Sequence, residues 1–252
     1  MTAADTLAPD PQVARRIVSM MDLTSLNETD DEAAILRLSG LAVSKAGTVA
    51  ALCTWPRFIP VARKALRGTG VRMAAVANFP AGAGSVEQAA RETAAAIADG
   101  ADEVDVVFPY RALLAGDAAA GLALVQRCRS ACGDRALLKV ILESGQLGSP
   151  DLLRRAADIA VAGGAHFLKT STGKTLPGAT PEAAAVLLEV IAQSRERGSA
   201  VGLKVSGGIR TFAAARDFLA QYERRFGSGS ATPASFRIGA STLIGDLLQS
   251  MP

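Results

Sequence analysis

The sequence predicts an α/β fold, a single-domain (β/α)8 barrel of the TIM type, and three observations carry that expectation. Eight short apolar runs alternate with longer segments of helical period, the pattern of repeated strand–helix units around a parallel sheet. Eight such units in 252 residues match the size of a closed barrel. The turn after the first run reads DLTSLN, without the glycine-rich segment that an open, doubly wound sheet would place there.

The runs expected as strands cover residues 18–24 (VSMMDLT), 47–53 (GTVAALC), 71–79 (VRMAAVANF) and 102–108 (DEVDVVF). Four more cover 136–143 (ALLKVILE), 165–171 (AHFLKTS), 201–207 (VGLKVSG) and 235–241 (SFRIGAS). Helix starts are marked between them. Thr29-Asp30-Asp31-Glu32 and Ser85-Val86-Glu87-Gln88 read as capping boxes with the hydroxyl residue at the cap. Ser149-Pro150 and Thr180-Pro181 set a cap before a proline at the first helical position. Gly163-Gly164 and Gly198 are stop signals. Residues 1–12 read as a flexible or loosely helical extension, and 226–235 (FGSGSATPAS) as a surface loop. No linker divides the chain, so one domain over 1–252 is expected.

Composition narrows the function. Hydrophobic residues make up 49% and charged residues 20%, a globular balance. A net charge of +3, spread along the chain, and only eleven aromatic residues argue against nucleic acid as a partner. The polar start, MTAADTLAPDPQ, lacks a signal peptide's apolar centre, and no run is long enough to span a bilayer. Cys53, Cys128 and Cys132 contain no C-x-x-C pair; the last two, four apart on an expected helix, read as packing residues. His166 is the single histidine, so zinc sites and Ser-His-Asp triads lack parts. The expectation is a cytoplasmic protein with no metal, no cofactor and no membrane partner.

Charges inside apolar strands carry the chemistry. Asp22, Asp105, Lys139, Glu143, Lys169 and Lys204 all interrupt apolar runs. A buried ion without a partner costs several kcal/mol, so six such residues call for a reason. In a barrel, inward side chains near the C-terminal strand ends meet the active-site loops. Period two places Lys139, Ile141 and Glu143 on one face, expected to be inward. An ion-pair network that only holds the barrel together is the alternative for any one of these residues. Two lysines close together in such a lumen would disfavour each other's protonation, and a neutral amine attacks a carbonyl to form a Schiff base. Asp105 would then move protons.

The last two units carry the glycines and hydroxyls. Lys204 leads into Val205-Ser206-Gly207-Gly208-Ile209-Arg210-Thr211, and the final run into Gly239-Ala240-Ser241-Thr242. Glycines let backbone N–H groups close on an anion, and barrels commonly hold phosphate after strands seven and eight. One Gly-Gly alone is equally a structural turn.

With these residues in view the chain resembles the deoxyribose-phosphate aldolase family over nearly its whole length. The motifs are MMDLTSLN, ALCTWPRFIP, ANFPAG, GADEVDVVFPYRAL, LLKVILESG, FLKTSTGK, VGLKVSGGIRT and IGASTL. The resemblance implies reversible cleavage of 2-deoxy-D-ribose 5-phosphate to acetaldehyde and D-glyceraldehyde 3-phosphate. It implies Lys169 as the Schiff-base nucleophile, Lys204 as the neighbour that lowers its pKa, and Asp105 as a proton relay through water. Asp22, Thr24, Cys53, Lys139, Glu143 and Thr172 would line the sugar pocket. Gly173, Lys174, Gly207, Gly208, Gly239, Ser241 and Thr242 would hold the phosphate. The partners implied are small sugar phosphates and aldehydes, and a second copy in a homodimer. Three departures stand out: Ala81 where the family often has histidine, Ser144 where it often has threonine, and LLQSMP in place of a tail ending in tyrosine. The third implies greater reliance on Asp105 and water. Another Schiff-base aldolase or transaldolase, an isomerase, or a sugar-phosphate sensor are the competing readings.

Overall fold

The computed structural model describes residues 10–249 and closes eight parallel strands into a barrel. In chain order these are β1 (Met21–Thr24), β2 (Ala51–Thr54), β3 (Arg72–Ala77), β4 (Glu103–Val107), β5 (Leu137–Ile141), β6 (Phe167–Lys169), β7 (Gly202–Ser206) and β8 (Phe236–Ala240). Each pairs with its sequence neighbours, and β8 closes on β1 through Met21–Ile238, Asp22–Gly239 and Leu23–Ala240. All eight expected strands are present.

The helices follow their start signals with one correction. Ser85, Ser149 and Thr180 cap α4 (Val86–Ala98), α8 (Pro150–Ala162) and α9 (Pro181–Glu196), each side chain accepting a backbone N–H three residues on. The cap of α2 (Glu32–Ala42) is Asp31, not Thr29; its carboxylate accepts from Ala34 N at 2.7 Å. Asp30 is occupied elsewhere, accepting from Ser25 Oγ and Asn27 N and so tying up the β1–α2 loop.

Strand boundaries also move, three of them with consequences for the elements around them. The helix α1 (Pro11–Ser19), capped by Asp10, takes residues 18–19 from the expected first strand and 11–12 from the expected extension; residues 1–9 lie outside the described structure. Residues 47–48 do not belong to β2 but pair with 43–44 in a small antiparallel hairpin before it. The segment expected to run inward as far as Glu143 leaves the sheet at Ile141. Residues 227–235 form the expected loop.

Side chains alternate across the barrel wall. Val104, Val106, Leu138, Val140, Leu168, Leu203, Val205 and Ile238 face outward and join the main apolar core beneath the helices. Cys128 and Cys132, on α6 (Ala118–Cys132), are buried there as free thiols, and burial pushes each up to about 11. A second, smaller cluster inside the barrel holds Ala51, Cys53, Ala74 and Val76. These short side chains on β2 and β3 leave the lumen open to long cationic ones from the opposite strands. Gly239 helps on β8, where a Cβ would lie 3.0 Å from the Lys204 stem. Among the described residues no helix is long and apolar enough to cross a membrane.

Packing between shells is tight enough to test. A Cβ at Gly121 on α6 would collide with the buried ring of Phe108, just past β4. Gly121→Ala is expected to destabilise the barrel by about 1–3 kcal/mol, despite alanine's better helix propensity, because the ring has to shift. Urea denaturation of the two proteins measures it.

Candidate active site

Seven ionisable side chains meet in the lumen, each 3% exposed or less. Asp22 comes from β1, Glu103 and Asp105 from β4, Lys139 from β5, Lys169 from β6, Lys204 from β7 and Arg237 from β8. Lys139 Nζ touches three carboxylates: Glu103 Oε2 at 2.6 Å, Asp105 Oδ1 at 2.8 Å and Asp22 Oδ2 at 3.3 Å. Lys204 Nζ touches two, Asp22 Oδ2 at 2.5 Å and Asp105 Oδ2 at 2.7 Å. Lys169 Nζ touches one, Asp105 Oδ2 at 2.8 Å. Arg237 donates to Asp22 Oδ1 at 2.6 Å and to Glu103 Oε1 at 2.8 Å.

That ranking decides which proton is held least. Burial opposes charge on all three lysines, but Asp105, Asp22 and Glu103 more than offset it at Lys139, whose pKa lies well above the ordinary value. Lys204 is likewise raised by Asp105 and Asp22 against the penalty of burial. Lys169 alone moves down: burial is the largest cause, Asp105 opposes it, and the Lys204 ammonium adds to it. The neighbour effect expected from Lys204 is therefore present but second to desolvation. Asp105 and Asp22, although buried, stay far below the usual carboxylate range because lysines surround them, with Arg237 also acting on Asp22.

Above Lys169 lies a pocket of about 210 Å3 at the C-terminal ends of the strands. Thr24, Lys169, Thr172, Gly173, Lys174, Gly207, Gly208, Gly239 and Ser241 line it, as expected from the sequence. Gly173, Gly207 and Gly208 have φ of +78°, +93° and +84°, left-handed conformations that favour glycine. The loop after β6 packs on the loop after β7 so closely that a Cβ at Gly178 would strike the Gly207 backbone, and Ala179 N donates to Gly207 O at 3.0 Å. Lys174 Nζ donates to Leu26 O at 2.7 Å, joining the β6 loop to the β1 loop.

Other expected pocket residues sit elsewhere. Asp22 and Lys139 belong to the ion network below the pocket lining, and Cys53 to the small apolar cluster beside it. Burial raises the Cys53 thiol pKa. Thr242 is exposed, immediately before α11 (Leu243–Gln249), and is not in the lining. Glu143 does not share the inward face of Lys139. Its φ of +53° turns it out of strand geometry, and its carboxylate accepts from Thr172 Oγ1 at 2.6 Å and Thr172 N at 3.2 Å. Thr172 Oγ1 in turn accepts from Lys174 N at 3.0 Å, so Glu143 fixes the turn that carries Lys174.

Two members of the network escaped the sequence reading. Glu103 and Arg237 are charges within expected strands, like the six singled out, and Glu103 precedes Asp105 by the same period of two. Asn27 and Arg210 were likewise missed in the lining. Arg210, Lys174 and Lys169 give the pocket three basic side chains, and among the described residues no carboxylate lines it. Trp55 Nε1 donates to Asn27 O at 3.0 Å and holds that loop. Among the described residues no group of three or more His, Cys, Asp or Glu side chains could hold a metal ion.

The fold and the site are thus those of a closed barrel that presents a buried lysine beneath a basic pocket at its mouth. The chain belongs to the DeoC/LacD family of aldolases, whose family model matches residues 16–240. Similar solved structures agree in fold over nearly the whole chain. A protein from Coccidioides immitis assigned as a deoxyribose-phosphate aldolase is 29% identical, with a TM-score of 0.81, covering 95% of this chain and 87% of that one. One with the same assignment from Toxoplasma gondii ME49 is 25% identical, with a TM-score of 0.87 and coverage of 95% and 96%. The tetrameric deoxyribose phosphate aldolase of Aeropyrum pernix is 25% identical, with a TM-score of 0.75 and coverage of 99% and 98%.

Two substitutions test the network. Lys204→Leu removes an ammonium that disfavours protonation of Lys169 and leaves Asp22 and Asp105 less neutralised. Both changes hold the Lys169 proton to higher pH. The acid limb of the activity profile therefore moves to higher pH, with the neutral-pH rate falling on the order of a hundredfold; pH-rate measurements decide it. Arg237→Met leaves Asp22 and Glu103 short of a cation and is expected to destabilise the fold by about 3–5 kcal/mol in urea denaturation.

Proposed function

We propose that this aldolase cleaves and re-forms 2-deoxy-D-ribose 5-phosphate through a Schiff base on Lys169. The observation that carries the reading is the one-carboxylate environment of Lys169, against two for Lys204 and three for Lys139. The lysine facing the pocket is also the lysine whose proton is held least.

The neutral amine attacks C1 of the open-chain aldehyde and forms a carbinolamine. Loss of water gives a protonated imine. Removal of the C3 hydroxyl proton lets the C2–C3 electron pair flow toward the imine, releasing D-glyceraldehyde 3-phosphate and leaving an enamine. Protonation at C2 and hydrolysis return acetaldehyde and the free amine. The protonated imine is the electron sink, so the cycle calls for no metal or organic cofactor.

Asp105 fits a relay better than a strong base, because three lysines keep its carboxylate ionised and weakly basic. It holds Lys169 and Lys204 on one oxygen, Oδ2, where protons can pass through a bound water. Lys174, Arg210 and the glycine backbones of Gly173, Gly207 and Gly208 bind the phosphate, with Gly239 and Ser241 completing its wall. Thr24 and Thr172 face the sugar, while Asp22, Lys139 and Glu143 act through the residues they hold. The three free, buried cysteines are consistent with a reducing compartment such as the cytoplasm. We also take the active form to be a homodimer; the tetramer of the Aeropyrum pernix relative supports self-association.

Acetaldehyde with borohydride is expected to leave a two-carbon adduct on the peptide containing Lys169, read by mass spectrometry. An adduct confined to Lys174 would sink the assignment. Release of D-glyceraldehyde 3-phosphate from 2-deoxy-D-ribose 5-phosphate, followed by a coupled assay, distinguishes this substrate from that of another Schiff-base aldolase.

A further inference from the structure

A second cavity opens at the other end of the barrel, and nothing in the proposed chemistry uses it. It encloses about 710 Å3, against about 210 Å3 for the pocket above Lys169. Its lining includes the N-terminal starts of β3 and β5 and the residues just before β4 and β6. Barrel residues at this end ordinarily serve stability. Here the lining is strongly basic, with Arg63, Arg67, Arg72, Arg129 and Arg135 facing only Asp102 and Asp134.

The hydrogen bonds show which charges are already committed. Arg63 donates to Asp102 Oδ1 at 2.7 Å and to Gly100 O, while the other Asp102 oxygen accepts from Met73 N at 2.8 Å. Asp102 is thereby used. Arg129 donates to the Gly133 carbonyl at 2.5 Å, which fixes its guanidinium at the rim without neutralising it. Arg72 lies 3.6 Å from Glu103, a carboxylate already shared by Lys139 and Arg237. Arg67 and Arg135 are exposed, and their guanidinium groups make no hydrogen bond or ion pair among the described residues. His166 turns Nδ1 inward to accept from Leu138 N at 2.9 Å, which leaves its Nε2–H as a donor. Burial and Arg129 keep that ring's pKa below its ordinary value, so it adds a neutral donor beside the cations.

Guanidinium groups gathered from several elements repel one another, and their planar forks match phosphate oxygens two at a time. One phosphate group engages two or three such forks, whereas this cavity offers five, spread over a volume more than three times that of the mouth pocket. We propose that this cavity binds a small anion carrying two or more linked phosphate groups, inorganic or nucleotide, at a site separate from the one that holds the substrate. Arg67 and Arg135 supply the free charge, and Arg63, Arg72 and Arg129 a pre-positioned frame.

Calorimetric titration of the full chain with inorganic pyrophosphate tests it, with adenosine diphosphate as the second probe. The expected result is saturable binding that weakens about tenfold or more in Arg67→Ala/Arg135→Ala and persists under saturating 2-deoxy-D-ribose 5-phosphate. Tighter binding of one probe names the source of the phosphates. Neither arginine belongs to the catalytic network, so aldol cleavage by the variant should stay at the parent rate and report its fold. If the double variant fails to fold, Arg135→Gln alone gives the same comparison. Absence of binding by both probes at millimolar concentration, or equal affinity in the variant, overturns the proposal. So does displacement by the sugar phosphate, which would place the anion in the mouth pocket. These outcomes are independent of whether Lys169 forms the imine.

Discussion

Charge balance in a sealed lumen is the constraint on which the rest of the structure depends. Three carboxylates and four basic side chains meet there, each 3% exposed or less, so with every group charged one positive charge is in excess. Uncompensated charge in such a place costs several kcal/mol. Release of the proton from Lys169 removes the excess, and Lys169 is the lysine with the fewest carboxylate partners. The reactivity proposed for it would thus be a property of the whole ring of strands rather than of one neighbour.

The barrel makes room for that ring by an uneven choice of side-chain size. Alanine and cysteine on β2 and β3 face lysine and arginine on β5 to β8, and Gly239 gives way to the Lys204 stem. An evenly filled lumen of branched aliphatics would be a better core and a worse site. Arg237 stands among the largest fully buried side chains and caps Asp22 and Glu103 together, so the electrostatics of the proposed site and folding draw on the same contacts.

Much of this was legible in the sequence because burial and charge conflict so visibly in a strand. Asp22, Asp105, Lys139, Lys169 and Lys204 stood out by that rule and do meet in the lumen. Glu103 was passed over beside a strand boundary and Arg237 among the residues of the last run, although the same rule applies to both. Glu143 misled for a physical reason: period two holds only while the backbone stays extended, and a left-handed residue after Ile141 breaks it. The capping aspartate of α2 was hidden among Thr29, Asp30 and Asp31, three competent caps in a row. The hairpin over 43–48 has only two residues a side, and the pair at its turn, Lys45-Ala46, is not a usual turn pair. Loop lining, Asn27 and Arg210 in particular, depends on contacts distant in sequence.

The charge count has a further consequence for the proposed cycle. An imine nitrogen on Lys169 carries a positive charge, which restores the excess that loss of its proton had removed. The surroundings then favour whatever change drains that charge, and flow of the C2–C3 electron pair into the imine does so by leaving a neutral enamine. The lumen would in this way act on the bond-breaking step without touching the bond: the same three carboxylates and three fixed cations that free the amine also make its charged adduct short-lived.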